Sequence, residues 1–81
     1  VDLPVHRRPV DVTDPAAVAD AAAATEAAIG PVALLVANAG VLGPVAKLWD
    51  WPVEDFDRVM RINLNGVFYV LKAMIPRMLA Q

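Results

Sequence analysis

Val32-Ala33-Leu34-Leu35-Val36-Ala37-Asn38-Ala39-Gly40 decides how the rest of the chain is read. Residues 32–37 are an unbroken apolar run of strand length, entered through Gly30-Pro31 and left through Asn38, Ala39 and Gly40. A strand with one wet face alternates apolar and polar residues, and this run does not. It predicts a strand buried on both faces, as in a parallel sheet covered by helices.

The residues before it supply a crossover. Asp14 can accept from the free N–H groups of a first helical turn, and Pro15 suits the first helical position. Val18, Ala21, Ala22, Thr25, Ala28 and Ile29 then recur at helical spacing until Gly30-Pro31, which predicts a helix over 14–29. Further upstream, the valines of residues 5–12 favour a strand. Pro9 cannot donate to a ladder, so this strand belongs at a sheet edge, or the proline on its exposed side. His6, Arg7 and Arg8 read as solvent-facing. Strand, helix, strand predicts a βαβ crossover and an α/β fold.

Downstream, the loop 38–52 holds Gly40, Gly43, Pro44, Trp49 and Trp51. The two tryptophans either border a substrate entrance or anchor the loop and staple the start of the next helix. That helix is predicted over 53–79, weakened at Gly66 and kinked or ended by Pro76. Phe56, Val59, Met60, Asn63, Val67, Val70, Leu71, Met74 and Met78 follow one apolar stripe, and Leu64, Phe68, Leu71, Ile75 and Leu79 a second. A helix apolar over so much of its circumference needs two things to pack against: its own sheet and a second subunit.

Composition narrows the function classes. The 81 residues read as one unit without repeats or linkers, near the lower edge of size for an independent core. The strongly apolar composition argues against disorder. Nine acidic against seven basic residues create no field that would draw nucleic acid or an anionic membrane. The absence of cysteine excludes a disulfide framework and a zinc-thiolate site, and it fits a cytoplasmic protein. No apolar run approaches the roughly 18 residues of a membrane span. The chain opens on Val1 with no signal-peptide pattern, which suggests a segment from within a longer product.

Few residues are left to carry chemistry. The sequence has no G-x-G-x-x-G, no P-loop and no His/Asp/Glu spacing suited to a metal. One histidine and no serine exclude a Ser-His-Asp arrangement. Three polar points remain where an open α/β sheet binds ligands, beyond the carboxyl ends of its strands. At Asp11-Val12-Thr13-Asp14 the cap role is filled by Asp14, which leaves Asp11 unexplained. At Asn38-Ala39-Gly40 the residues suit either a turn or the close approach of a ligand to the backbone. Asn63 lies in the middle of the long helix on its apolar stripe, where an amide needs partners; a neighbouring backbone group would serve. Gly66, three residues on, adds a second local defect, which points to a close approach or a functional kink.

Together these segments resemble the short-chain dehydrogenase/reductase family. Asp11-Val12-Thr13-Asp14 is similar to its D-V-(T/S)-D segment, Leu35-Val36-Ala37-Asn38-Ala39-Gly40 to L-V-N-N-A-G, and the stretch from Val59 through Asn63 and Gly66 to Phe68 to V-x-x-V-N-L-x-G-x-F. The order and gaps match across almost the whole chain. Ala37 replaces the first asparagine of N-N-A-G, removing the hydrogen bonds of that side chain.

The resemblance implies a Rossmann-type doubly wound parallel sheet, present as a β-α-β-α portion over 1–81. It implies NAD or NADP bound through Asp11, Val12, Asn38, Ala39 and Gly40, with Asn63 as the catalytic asparagine, its backbone carbonyl holding a water on a proton relay. It implies an alcohol or carbonyl substrate, and a homodimer or homotetramer joined through helix 53–79. The family's Gly-rich loop would precede this segment, and its catalytic Ser and Y-x-x-x-K would follow Gln81. Tyr69 is not that tyrosine, since its lysine, Lys72, comes one residue too soon. By the same resemblance the two strands are third and fourth along the chain, with two others between them in space. The alternatives are a non-catalytic relative used for binding or regulation, and the extended branch of epimerases and dehydratases acting on nucleotide sugars.

Overall fold

The computed structural model describes residues 3–81. Helix α1 spans Pro15–Ile29. Asp14 sits in extended conformation ahead of it, and its carboxylate accepts from the N–H groups of Ala16 and Ala17 at 3.1 and 3.2 Å. At the other end Gly30 adopts a φ of +91°, a conformation that disfavours any side chain, and donates to Glu26 O. The predicted cap, first-turn proline and stop glycine all act as the residue types require.

A 3₁₀ turn at Leu48–Asp50 leads into one long rod: α2 (Val53–Met60), a π-helical turn (Arg61–Asn65) and α3 (Gly66–Leu79). The junctions keep helical angles, −62°/−40° at Arg61 and −59°/−43° at Gly66, so the rod does not break. The N–H of Gly66 reaches back five residues to Arg61 O, which widens one turn and shifts the register of everything after it. Pro76 lies inside α3, which runs on to Leu79. It was expected to kink or end the helix. It removes one donor, which would have served the exposed Lys72, whose carbonyl water can reach.

Helix α1 packs on α3. Val18 and Ala22 of α1 and Met74 of α3 are the buried apolar side chains. Arg77 meets Glu26 at 3.2 Å across this contact, an ion pair exposed enough to contribute at most about 1 kcal/mol. Gln81 Nε2 donates to Val32 O at 2.7 Å, holding the end of the rod beside the second extended run.

Among the described residues neither 5–12 nor 32–37 forms a ladder. A strand's N–H and C=O groups point sideways and need another strand within about 5 Å, and these two runs do not supply one for each other. Burial follows suit. Residues 32–37 were expected to be buried on both faces, yet Leu34 is 81% and Val36 72% exposed. His6, expected in solvent, is half-buried, and its Nε2 is buried without a partner among the described residues. It lines an apolar cavity of about 310 Å³ bounded by both runs and both helices, with Val10, Val12, Leu35, Val70 and Met74. The molecule is correspondingly open. Its radius of gyration is 15.5 Å, against about 12 Å for a compact chain of this length.

Candidate functional site

The site is built where the two extended runs end and the π-helical turn passes. The first run ends in a tight turn made by its own side chains. Thr13 donates to Asp11 Oδ1 twice, from its N–H at 2.9 Å and its hydroxyl at 2.7 Å. The N–H of Asp14 closes the turn on Asp11 O at 3.1 Å. Asp11 is therefore no helix cap. The Thr13 hydroxyl, then the Thr13 N–H, and more weakly the positive charge of Arg61 hold its carboxyl below the ordinary value of 3.8. No donor among the described residues reaches its second oxygen.

Val12 points the other way, against the rod. A Cβ on Gly66 would stand 2.8 Å from Val12 Cγ2 and 3.2 Å from Val12 Cβ, so only glycine lets the rod come this close. Of the two readings of the Gly66 position, the close approach holds; in place of a break, the rod carries a π-helical turn just before it.

The second run ends at Asn38, Ala39 and Gly40, all exposed. Asn63, inside the π-helical turn, binds the residue that follows them. Its Oδ1 accepts from Val41 N at 2.8 Å, and its Nδ2 donates to Val41 O at 2.9 Å. One primary amide thus satisfies the N–H and the C=O of one residue, on two successive peptide units, and ties the loop to the rod. Gly40 lies under the same amide, since a Cβ there would stand 3.3 Å from Asn63 Oδ1.

Val12, Asn38, Ala39 and Gly66 line one small cleft of about 140 Å³, together with Val36, Ala37, Val67 and Val70. The three segments singled out in the sequence converge there. Asp11 stands apart, on the far side of its turn, with Arg61 as its charged neighbour. One participant escaped the sequence reading: Val41 enters through its backbone alone, which no residue type announces. Trp51, expected either to border a substrate entrance or to anchor the loop and staple the next helix, seats its ring against Gly43 and donates from Nε1 to Ala46 O at 3.2 Å, the contacts of an anchor. Among the described residues no helix is long and apolar enough to cross a membrane.

Residues 3–81 match the family model described as short chain dehydrogenase. The chain belongs to the short-chain dehydrogenase family. It is 46% identical over 74 residues to a 2-dehydro-3-deoxy-L-rhamnonate dehydrogenase (NAD(+)) of Sphingomonas sp., covering 91% of this chain and 30% of that protein. It is 44% identical over 69 residues to an inactive 2-(S)-hydroxypropyl-CoM dehydrogenase 2 of Xanthobacter autotrophicus, covering 85% and 30%. An NAD+-bound xylitol dehydrogenase structure superposes with a TM-score of 0.86 at 39% identity, over 89% of this chain and 28% of the other. The chain therefore spans about 30% of the length of the curated relatives it matches.

Proposed function

We propose that this segment is the central part of a nicotinamide-dependent oxidoreductase that interconverts a secondary alcohol and a carbonyl. The observation that carries the reading is the paired hydrogen bond from Asn63 to Val41, which binds the Asn38-Ala39-Gly40 segment to the rod at one point. An amide spent on a loop peptide in mid-helix has no use in holding the helix itself.

The residues present fit a nicotinamide dinucleotide. Asn38, Ala39 and Gly40 expose backbone behind small side chains, which allows close approach of a ribose. Asp11 keeps one carboxylate oxygen for an exocyclic amine such as that of adenine, while Thr13 fixes the other. NAD or NADP would be held by Asp11, Val12, Asn38, Ala39 and Gly40, and when bound it accepts or supplies the hydride. Asn63 orients the loop beside it, and its helical carbonyl is placed by the π-helical turn, where i→i−5 spacing leaves acceptors poorly used.

The same reading assigns residues 1–81 to one partial Rossmann-type domain. Residues 5–12 and 32–37 are parallel strands of its doubly wound sheet, and the strands between them fill the cavity beside Val12 and Leu35. The exposed stripe of Leu64, Phe68, Leu71, Ile75 and Leu79 is the face of a homodimer or homotetramer. The absence of cysteine suits the cytoplasm. The inactive hydroxypropyl-CoM dehydrogenase 2 favours a second reading, a non-catalytic member that binds nicotinamide without turnover.

The test is oxidation of xylitol, D-gluconate and 2-octanol by the full-length protein with NAD+ or NADP+, repeated with Asn63→Ala. Turnover of at least one alcohol is expected, with kcat lowered on the order of 10–100-fold in the variant through misplacement of the loop. Normal turnover in Asn63→Ala removes the role given to Asn63. Nicotinamide binding without any turnover selects the second reading.

A further inference from the structure

One short stretch of the rod touches the ends of both extended runs. Asn63, inside the π-helical turn, binds Val41 just after the Asn38-Ala39-Gly40 segment. Gly66, whose N–H closes that turn on Arg61 O, receives Val12 at the end of the first run. In a regular helix, residues three apart in sequence stand about 60° apart around the axis and address one neighbour. A turn closed over five residues rotates less per residue and opens that angle, so the two positions reach two different segments.

The seat of Val12 leaves no slack. A Cβ on residue 66 would stand 2.8 Å from Val12 Cγ2 and 3.2 Å from Val12 Cβ, with Val12 O behind them at 3.5 Å. Carbon atoms settle about 3.5–4.0 Å apart, so one added methyl group must push Val12 back by about 1 Å. Valine is branched at Cβ and cannot fold its side chain away. The displacement passes to the backbone of residue 12 and to its turn, in which Thr13 holds one carboxylate oxygen of Asp11. Asn38 and Ala39 line the same cleft as Val12 and Gly66, but their segment is tied to the rod separately, through Val41. The spacing between the two segments is therefore set at residue 66.

We propose that Gly66 is a positioning residue for the adenosine end of a nicotinamide dinucleotide: by seating Val12 against the rod, it fixes the spacing between Asp11-Val12 and Asn38-Ala39-Gly40. The inference rests on the oxidoreductase reading, which assigns both segments to the cofactor. Gly66 acts through Val12, and its lack of a side chain is what the site requires of it.

The test is a double-mutant cycle in the full-length protein: wild type, Gly66→Ala, Val12→Ala and the two combined. Each is titrated calorimetrically with NADH, NADPH, and ADP-ribose or its 2′-phosphate, the fragments that keep adenosine and lack nicotinamide. Gly66→Ala is expected to weaken dinucleotide and fragment alike, on the order of tenfold, through the misplacement of Val12 and Asp11. In the Val12→Ala background, where Cγ2 is gone, the same substitution costs no more than about twofold. Val12→Ala alone loosens the seat without a clash and weakens both ligands a few-fold. Measured well below the unfolding transition, affinity does not follow stability, so a purely structural role for Gly66 leaves the four proteins alike.

Unchanged affinity in Gly66→Ala, a loss confined to the dinucleotide and absent from the fragment, or a tenfold loss that persists beside Val12→Ala overturns the proposal while the oxidoreductase reading stands. If Gly66→Ala does not fold, Val12→Ala carries the test, and unchanged affinity there overturns the proposal in the same way. A wild-type protein that binds none of these ligands overturns both.

Discussion

The helical half and the extended half of this chain differ in what their backbones require. Helix α1 and the rod from Val53 to Leu79 close their hydrogen bonds within themselves, so a cap at Asp14 and one packed face around Val18, Ala22 and Met74 suffice to define them. Residues 5–12 and 32–37 have the side chains of strands and no ladder among the described residues. Helical structure is a local decision. Strand structure is a decision shared with residues elsewhere, and Leu34 and Val36 stand exposed in consequence.

The comparison is broken most forcefully by removing everything but this segment. The isolated 81-residue chain is expected to lack a cooperative melt, with amides of 5–12 and 32–37 exchanging near the rate of free peptide. In the full-length protein the same amides should be protected by several kcal/mol, the range of core elements. A sharp two-state transition of the isolated chain, by calorimetry and circular dichroism together, would show that the helical half alone makes a fold.

One of the contacts that join the two halves is the approach of Val12 to Gly66, and changing it has the next largest effect. Gly66→Val places a branched side chain onto Val12, a short and stiff neighbour that cannot turn away. A loss of about 1–3 kcal/mol in the full-length protein is expected from urea unfolding. Gly66→Ala should lose less, because alanine regains roughly 0.5–1 kcal/mol of helix propensity. An unchanged midpoint for the valine variant would mean that rod and first run do not meet here.

The smallest effect concerns the turn that ends the first run. The Asp11 carboxyl is held down chiefly by the Thr13 hydroxyl. A lowered folded-state pKa means that the contribution of Asp11 to stability is present above its ordinary value and is lost as pH falls through the depressed one. Thr13→Val should raise the Asp11 pKa toward 3.8 and narrow the difference in acid stability from wild type below that pH. Carboxyl carbon titration by NMR reads it directly. No movement would place the cause in the backbone N–H of residue 13, which valine keeps, ahead of Arg61.

Sequence disclosed most of the local structure and the positions of the three segments. Asp14, Pro15 and Gly30 state the bounds of α1 because each acts on its own turn. Asn63 and Gly66 were visible as defects in an apolar helix, and defects are legible where a regular pattern surrounds them. The π-helical turn between them was not, since i→i−4 and i→i−5 bonding place similar demands on side chains. Pro76 does not end the helix for a related reason: one missing donor at an exposed turn is tolerated, and α3 runs on to Leu79 as the apolar pattern required. His6 and the run 32–37 misled, because burial is set by neighbours distant in sequence. Val41 acts through its peptide group, and no side-chain pattern can mark that.

The direct test of the account is a fluorescence titration of the full-length protein with NADH and NADPH, compared with Asn63→Ala. The account predicts saturable binding of at least one of the two, weakened several-fold when Val41 is released from the Asn63 amide. Binding of neither, or equal affinity in the variant, would contradict it.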